Sequence, residues 1–257
     1  LPVNDLALLT EAARAAGDIA RRYFQKSPKV WDKGGSAGPV TEADLEVDRM
    51  LSDDLRAARP DYGWLSEETE DSATRLSQEN VFIVDPIDGT RAFIEGAPHW
   101  AHSLAIAKSG RVEVAAIYMP MLDLMFTATL GGGAYLNDVP INVSARRETP
   151  GANILSSKAN FREEFWPGGF PDLQRSFRSS LAYRLCLVAN GEFDGMLTLR
   201  PTWEWDVAAG CLIVAEAGGL ATEQTGVQPV FNSITGQLNG IVASNSDIHF
   251  GLIAGLT

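Results

Sequence analysis

Apolar residues at Leu6, Leu9, Ala13, Ala16, Ala20 and Phe24 recur at the spacing of one helical face. They predict an amphipathic helix capped by Asn4 and running to about Gln25. A Gly-, Ser- and Pro-rich stretch, KSPKVWDKGGSAGPVT, then reads as a loop. Within it Lys33 and Gly34–Gly35 suit a flap near an anion, or a plain solvated loop. Thr41 opens a second helix that Pro60 stops, with Asp44 placed to complete a capping box. GWLS (63–66) is a short strand running into Glu67-Glu68. Four apolar residues from Val81 run straight into Asp85-Pro86-Ile87-Asp88-Gly89-Thr90, the pattern of a buried strand that stops at a carboxylate, turns, and opens a short helix at Thr90.

From Ala101 to Asn142 apolar segments alternate with Ser109-Gly110, Gly131–Gly133 and Asn137-Asp138, the signature of an antiparallel meander. GGGAYLND lies between two of these strands and lacks nucleotide-loop spacing, so it is a hairpin connection. A polar stretch at Ser144–Gly151 marks a boundary, dividing the chain into halves 1–147 and 148–257. The second half mixes strands (NILSS, GMLTLR, LATE, QPVF, GIVAS) with helices (FREEF, SSLAYRLCLVANG, WDVAAGCLIVAEAGG, SDIHFGLIAGL), which argues for an α/β arrangement.

The formal net charge of −12 argues against a nucleic-acid groove or an anionic membrane surface. No apolar run approaches the ~20 residues of a membrane span. The opening stretch has no basic region before an apolar one, so no signal peptide is expected. Cys186 and Cys211 sit in apolar helical runs and read as buried free thiols, which fits a cytoplasmic setting. A phosphorylated substrate would need bound cations to reverse the local field of so acidic a chain.

Candidate chemistry rests on five acids: Asp44, Glu67, Asp85, Asp88 and Asp206. Each alone has an ordinary explanation. Asp44 and Asp206 suit helix first turns, and Glu67 begins an acidic run typical of solvated loops. Together they sit mostly at strand ends and helix starts, where α/β proteins build sites. Clustered carboxylates repel one another without cations, and an all-oxygen donor set favours Mg²⁺ or Mn²⁺ over zinc. His99, His102 and His249 fit no ligand spacing. Mg²⁺ beside a helix start points to phosphoryl transfer to water.

Asp85-Pro86-Ile87-Asp88-Gly89-Thr90 resembles the signature of the inositol monophosphatase superfamily of Mg²⁺-dependent, lithium-sensitive phosphomonoesterases. Thr41-Glu42-Ala43-Asp44, Ser66-Glu67-Glu68 and Trp205-Asp206-Val207-Ala208-Ala209-Gly210 fall in that family's order. The resemblance implies a layered α-β-α-β-α sandwich (α/β, α+β) with its site between the halves, two to three Mg²⁺ per site with Mn²⁺ as substitute, Li⁺ inhibition and a homodimer. It implies that Glu67, Asp85 and the Ile87 carbonyl hold a first metal and that Asp85, Asp88 and Asp206 hold a second, with Glu67 aiding a third. Thr90 and Asp44 would orient and deprotonate water, and the Gly89 and Thr90 N–H groups would cradle phosphate. In inositol-specific members a glutamate contacts the sugar where Leu199 stands here. The run ending in RPTWEWD is similar to bacterial 3′(2′),5′-bisphosphate nucleotidases, with Arg184 or Arg200 facing a second phosphate. Inositol 1-phosphate is the runner-up, with histidinol phosphate and sugar bisphosphates also open. Some relatives bind the transcription machinery, so an interaction protein with vestigial activity is the alternative from another class. The intact acid set argues for catalysis.

Overall fold

A computed structural model describes residues 4–34, 38–169 and 172–256; Gly35 of the expected flap lies outside the described residues. Helix α1 (Asp5–Tyr23) starts where the Asn4 side chain accepts from the Ala7 N–H, and α2 (Glu42–Ala58) starts at a complete Thr41/Asp44 capping box. The remaining helices are α3 (Thr90–Ile94), α4 (Leu181–Ala189), α5 (Glu204–Glu216) and α6 (Ser246–Leu256). Among the described residues no helix is long and apolar enough to cross a membrane.

Among the described residues the main sheet has seven strands in sequential order from Gly63–Ser66 to Val139–Pro140. Its first pair is parallel and the rest form the expected antiparallel meander. A second, mixed sheet has five strands, with Ala152–Leu155 and Gly195–Thr198 near its centre. The amphipathic α1 and α2 bury Leu9, Ala13, Val47, Leu51 and Leu55 against one face of the main sheet. Helices α4 and α5 lie between the two sheets, and α6 covers the outer face of the second with Trp166. The result is the layered α-β-α-β-α order. Such a middle layer must be apolar all round, and α5 meets this with Val207 to Val214 buried. At Gly210 a Cβ would lie 2.4 Å from Leu185, so only glycine lets α5 approach α4 this closely.

Three expectations are corrected. FREEF forms two 3₁₀ turns, Lys158–Phe161 and Glu163–Phe165, rather than a helix, because Pro167-Gly168-Gly169 leaves too few residues to nucleate one. QPVF is not a strand. Pro229 has no N–H for a ladder, and the Phe231 N–H donates to the Gly110 carbonyl instead. The loop before α2 contains a short ribbon pairing Val30–Asp32 with Pro39–Thr41. The polar strand Leu173–Ser176, at the sheet edge, carries no apolar alternation by which to read it.

Candidate active site

The strand bearing the first two acids does not stop at Asp85. It runs from Asn80 to Asp88 with a break in register: Asp85 faces Ser103, and Asp88 faces Ala101. Three steps on one strand match two on its neighbour, which is a one-residue bulge. In a regular strand positions 85 and 88 would point to opposite faces. The bulge brings both carboxylates to one side. Pro86 supports it through its carbonyl, which is hydrogen-bonded by His102 Nδ1. His102 is buried, and burial pushes its pKa down to about 4, so it is neutral and donates from Nδ1; it stands outside the cluster formed by Asp85, Asp88 and Asp206.

Asp206, in the first turn of α5, approaches from the helix layer between the two sheets. Ligand atoms of Asp85, Asp88 and Asp206 all lie within 4.8 Å of one another. Asp88 Oδ2 accepts from Ser180 Oγ (2.5 Å) and the Ala182 N–H (2.6 Å) at the start of α4. Asp85 Oδ1 is buried with no hydrogen-bond partner among the described residues. Burial, then Glu67, Asp88, Asp206 and Asp44, raise the Asp85 pKa well above the usual carboxylate range. Burial, with Asp88 and Glu67, does the same to Asp206, while burial outweighs the Ser180 and Ala182 bonds to set Asp88 at about 6. An orphaned buried carboxylate oxygen among three converging acids fits a hard divalent cation.

The other predicted residues fall around this cluster. Asp44 is fully buried behind it. Its Oδ2 accepts from the Thr41 N–H (2.9 Å) and Oγ1 (2.5 Å), and its Oδ1 lies 3.2 Å from Thr90 Oγ1. Thr90 Oγ1 is also 3.1 Å from the Ile87 carbonyl. Burial, opposed by the Thr41 bonds, raises Asp44 to about 6. Gly89 adopts φ 98°, the left-handed region where glycine is favoured, and turns the chain into α3. Glu67 lines the cleft but stands outside the three-acid group. Lys33 Nζ donates to Glu67 Oε1 and Glu68 Oε1, both at 2.8 Å. Burial opposes the Lys33 charge, yet the two glutamates outweigh it and hold its pKa above the ordinary lysine value.

These residues open on a cleft of roughly 740 Å³ between the sheet layers, lined also by Ser157, Asn160, Phe177, Thr198, Arg200 and Trp203. Leu199 is not among them. Thr198, the last residue of its strand, and Arg200 just beyond it line the cleft, while Leu199 between them packs with Trp166 and Ile248 on the far face. Arg184 is mostly committed: its Nε donates to the Arg178 carbonyl (2.6 Å) and its guanidinium lies over Phe177 at 4.6 Å. Arg200 is exposed in the cleft. Trp203 is 37% exposed and stacks on Trp205, ring centroids 4.6 Å apart.

Two supports were invisible in the sequence. Asp48 accepts from Ser66 Oγ (2.6 Å) and Thr69 Oγ1 (2.7 Å), fixing the strand end before Glu67. Ser103 Oγ donates to the Trp205 carbonyl (3.2 Å), tying α5 to the main sheet. Ser180, by contrast, precedes a helical run as a capping residue would, and that signal could have found it.

A model of the inositol monophosphatase family matches residues 4–256. Inositol-1-monophosphatase of Rhizobium meliloti (strain 1021) is 34% identical over 232 residues, 86% of this chain and 86% of that protein. Nus factor SuhB of Escherichia coli (strain K12) is 34% identical over 235 residues, 86% and 85% of the two chains. Among solved structures, the Thermotoga maritima IMPase superposes with a TM-score of 0.84 at 28% identity, covering 99% of this chain and 97% of that one.

Proposed function

This chain belongs to the inositol monophosphatase family, a family of metal-dependent phosphatases, and on that premise we propose that it is a Mg²⁺-dependent phosphomonoesterase acting on a small phosphorylated metabolite. The observation that carries this reading is the convergence of Asp85, Asp88 and Asp206 around an unpartnered buried carboxylate oxygen. These three, with Glu67 and the Ile87 carbonyl, would hold the cations, and Glu67 would exchange its ion pair with Lys33 for that role. When bound, Mg²⁺ supplies Lewis-acid polarisation of the phosphoryl group and a lowered water pKa.

The protein's own residues do the rest. Gly89 and Thr90 at the start of α3 present backbone N–H groups to the phosphate. Thr90 Oγ1 accepts a proton from the attacking water and passes its own to Asp44 Oδ1, 3.2 Å away. A buried carboxylate held at about 6 is poised for that task near neutral pH. Thr90→Ala is therefore expected to lower kcat by about 10²-fold, the lower range for general acid–base groups. Its Mn²⁺ affinity, read by electron paramagnetic resonance of free Mn²⁺, stays unchanged. A parallel loss of metal binding would remove Thr90 from this role.

For substrate, Arg200 and the exposed Trp203 face support a leaving group that carries a second anion and a planar ring. A 3′(2′),5′-bisphosphate nucleotide, 3′-phosphoadenosine 5′-phosphate cleaved to AMP, has both. The names of the relatives favour a second reading, inositol 1-phosphate, and the Nus-factor relatives a third, a partner of the transcription machinery. A panel of 3′-phosphoadenosine 5′-phosphate, inositol 1-phosphate, histidinol phosphate and fructose 1,6-bisphosphate with Mg²⁺ separates them. The nucleotide is expected to give the highest kcat/KM, and Arg200→Ala to raise its KM by roughly tenfold, the range of one charge-assisted contact. Preference for inositol 1-phosphate rejects the nucleotide reading, and no Mg²⁺-dependent turnover on any of them favours the interaction reading.

A further inference from the structure

Asp206 must meet Asp85 and Asp88 across the junction of the middle helix layer and the main sheet. Their like charges push it away, so something must hold the start of α5 in place. Among the described residues no side chain caps this helix: Trp203, at the cap position, makes no such bond. The residue that enters the helix, Glu204, is fully buried, although glutamate in a first turn usually points to water. Its two oxygens accept from the backbone N–H groups of Asn232 (2.5 Å) and Ser233 (2.9 Å), and its own N–H donates to the Gly236 carbonyl (2.9 Å).

Asn232 then reaches the other half. Its Oδ1 accepts from Arg75 Nη1 (2.6 Å), and its Nδ2 donates to the Arg75 carbonyl (3.2 Å). Arg75 is only 1% exposed and is fixed by Asp71 through Nε (2.6 Å) and Nη2 (2.9 Å). It lies in the 3₁₀ turn Ala73–Ser77, against the strand that leads to Glu67. Asn232 sits at φ 58°, a left-handed conformation that asparagine tolerates better than most residues.

We propose that Glu204 is a positioning residue, and that the chain Glu204–Asn232–Arg75 locks Asp206 at cation-binding distance from Asp85 before any cation arrives. The inference rests on Asp206 being a cation ligand. Removing supports behind a ligand typically costs 10–100-fold in metal affinity. Breaking the chain therefore weakens cation binding while leaving the chemistry intact once the site is filled.

The test uses the full chain and Mn²⁺, with free Mn²⁺ read by electron paramagnetic resonance and kcat read at saturating Mg²⁺. Glu204→Gln keeps the size but can accept from only one of the two N–H groups. Asn232→Gly keeps the N–H to Glu204, tolerates the backbone angle, and loses only the link to Arg75. Both are expected to raise the Mn²⁺ Kd, by about tenfold for Glu204→Gln and by a smaller factor for Asn232→Gly. In both, kcat at saturating metal stays within about threefold of wild type, since the chemical groups are untouched. A melting temperature that falls in both variants with an unchanged Kd overturns the proposal. If Glu204→Gln does not fold, an unchanged Kd in Asn232→Gly overturns it alone. Asp206→Asn serves as reference: if it too leaves Mn²⁺ binding unchanged, the ligand assignment fails rather than the positioning role.

Discussion

Asp85→Asn is expected to lower Mg²⁺-dependent kcat/KM by on the order of 10³-fold, the range for losing one preorganised electrostatic group. The same change is expected to raise the melting temperature of the metal-free protein. The two effects have one cause. Asp85 is 1% exposed, its Oδ1 has no partner among the described residues, and four other acids face it. Without cations its charge is both desolvated and repelled, which destabilises the fold. Asparagine keeps the shape and removes the charge. At this chain length each kcal/mol recovered is worth about 2–4 °C. Scanning calorimetry in chelator at pH 8, beside phosphate release in Mg²⁺, reads both signs at once. A variant that keeps its activity, or that loses stability in chelator, contradicts the assignment.

The second large effect is on pH. Asp85 and Asp206 have pKa values raised well above the carboxylate range by burial and by their neighbours, and Glu68 is held at about 7 by burial and Glu67. Their folded-state values exceed the unfolded ones near 4. Stability from such groups is complete below the unfolded value and is lost as pH rises through the folded one. Below pH 6.5 buried His102, with its pKa lowered to about 4, works in the opposite sense. Between pH 6.5 and 8 the acids act with little opposition. Each proton held only by the folded state costs about 1.4 kcal/mol per pH unit, hence roughly 2 kcal/mol across this interval. Urea unfolding in chelator is therefore expected to show a lower midpoint at pH 8 than at pH 6.5. Saturating Mg²⁺ should abolish the difference, because ligands bind cations deprotonated. A smaller pH slope in Asp85→Asn separates this from the general repulsion of a chain at −12. Stability that rises with pH in chelator would contradict it.

Much of the site was legible because its parts are local. Asp85-Pro86-Ile87-Asp88-Gly89-Thr90 announces itself as a strand end and helix start, and Thr41 with Asp44 reads as a capping box that the fold then forms. What was not legible depends on pairing across the chain. The bulge that turns Asp85 and Asp88 to one side exists only against Ser103 and Ala101 on the neighbouring strand. The position of Leu199, where the family resemblance implies a sugar-binding glutamate in inositol-specific members, depends on which way the chain just past the strand end at Thr198 faces. Packing with Trp166 and Ile248 turns it away and leaves Arg200 in its place. Lys33 on Glu67, Asp48 beneath Ser66, and Glu204 on the Asn232 loop join residues 18 to 34 positions apart. No periodicity reports contacts of that kind.

The decisive measurement is inorganic phosphate release from 3′-phosphoadenosine 5′-phosphate and inositol 1-phosphate by chelator-stripped protein as Mg²⁺ is added, with Asp85→Asn alongside. Wild type should be silent in chelator and turn on at least one of the two substrates with Mg²⁺, while the variant stays silent throughout. Phosphate release that needs no divalent cation, or that survives in Asp85→Asn, would show that these carboxylates are not the catalytic centre.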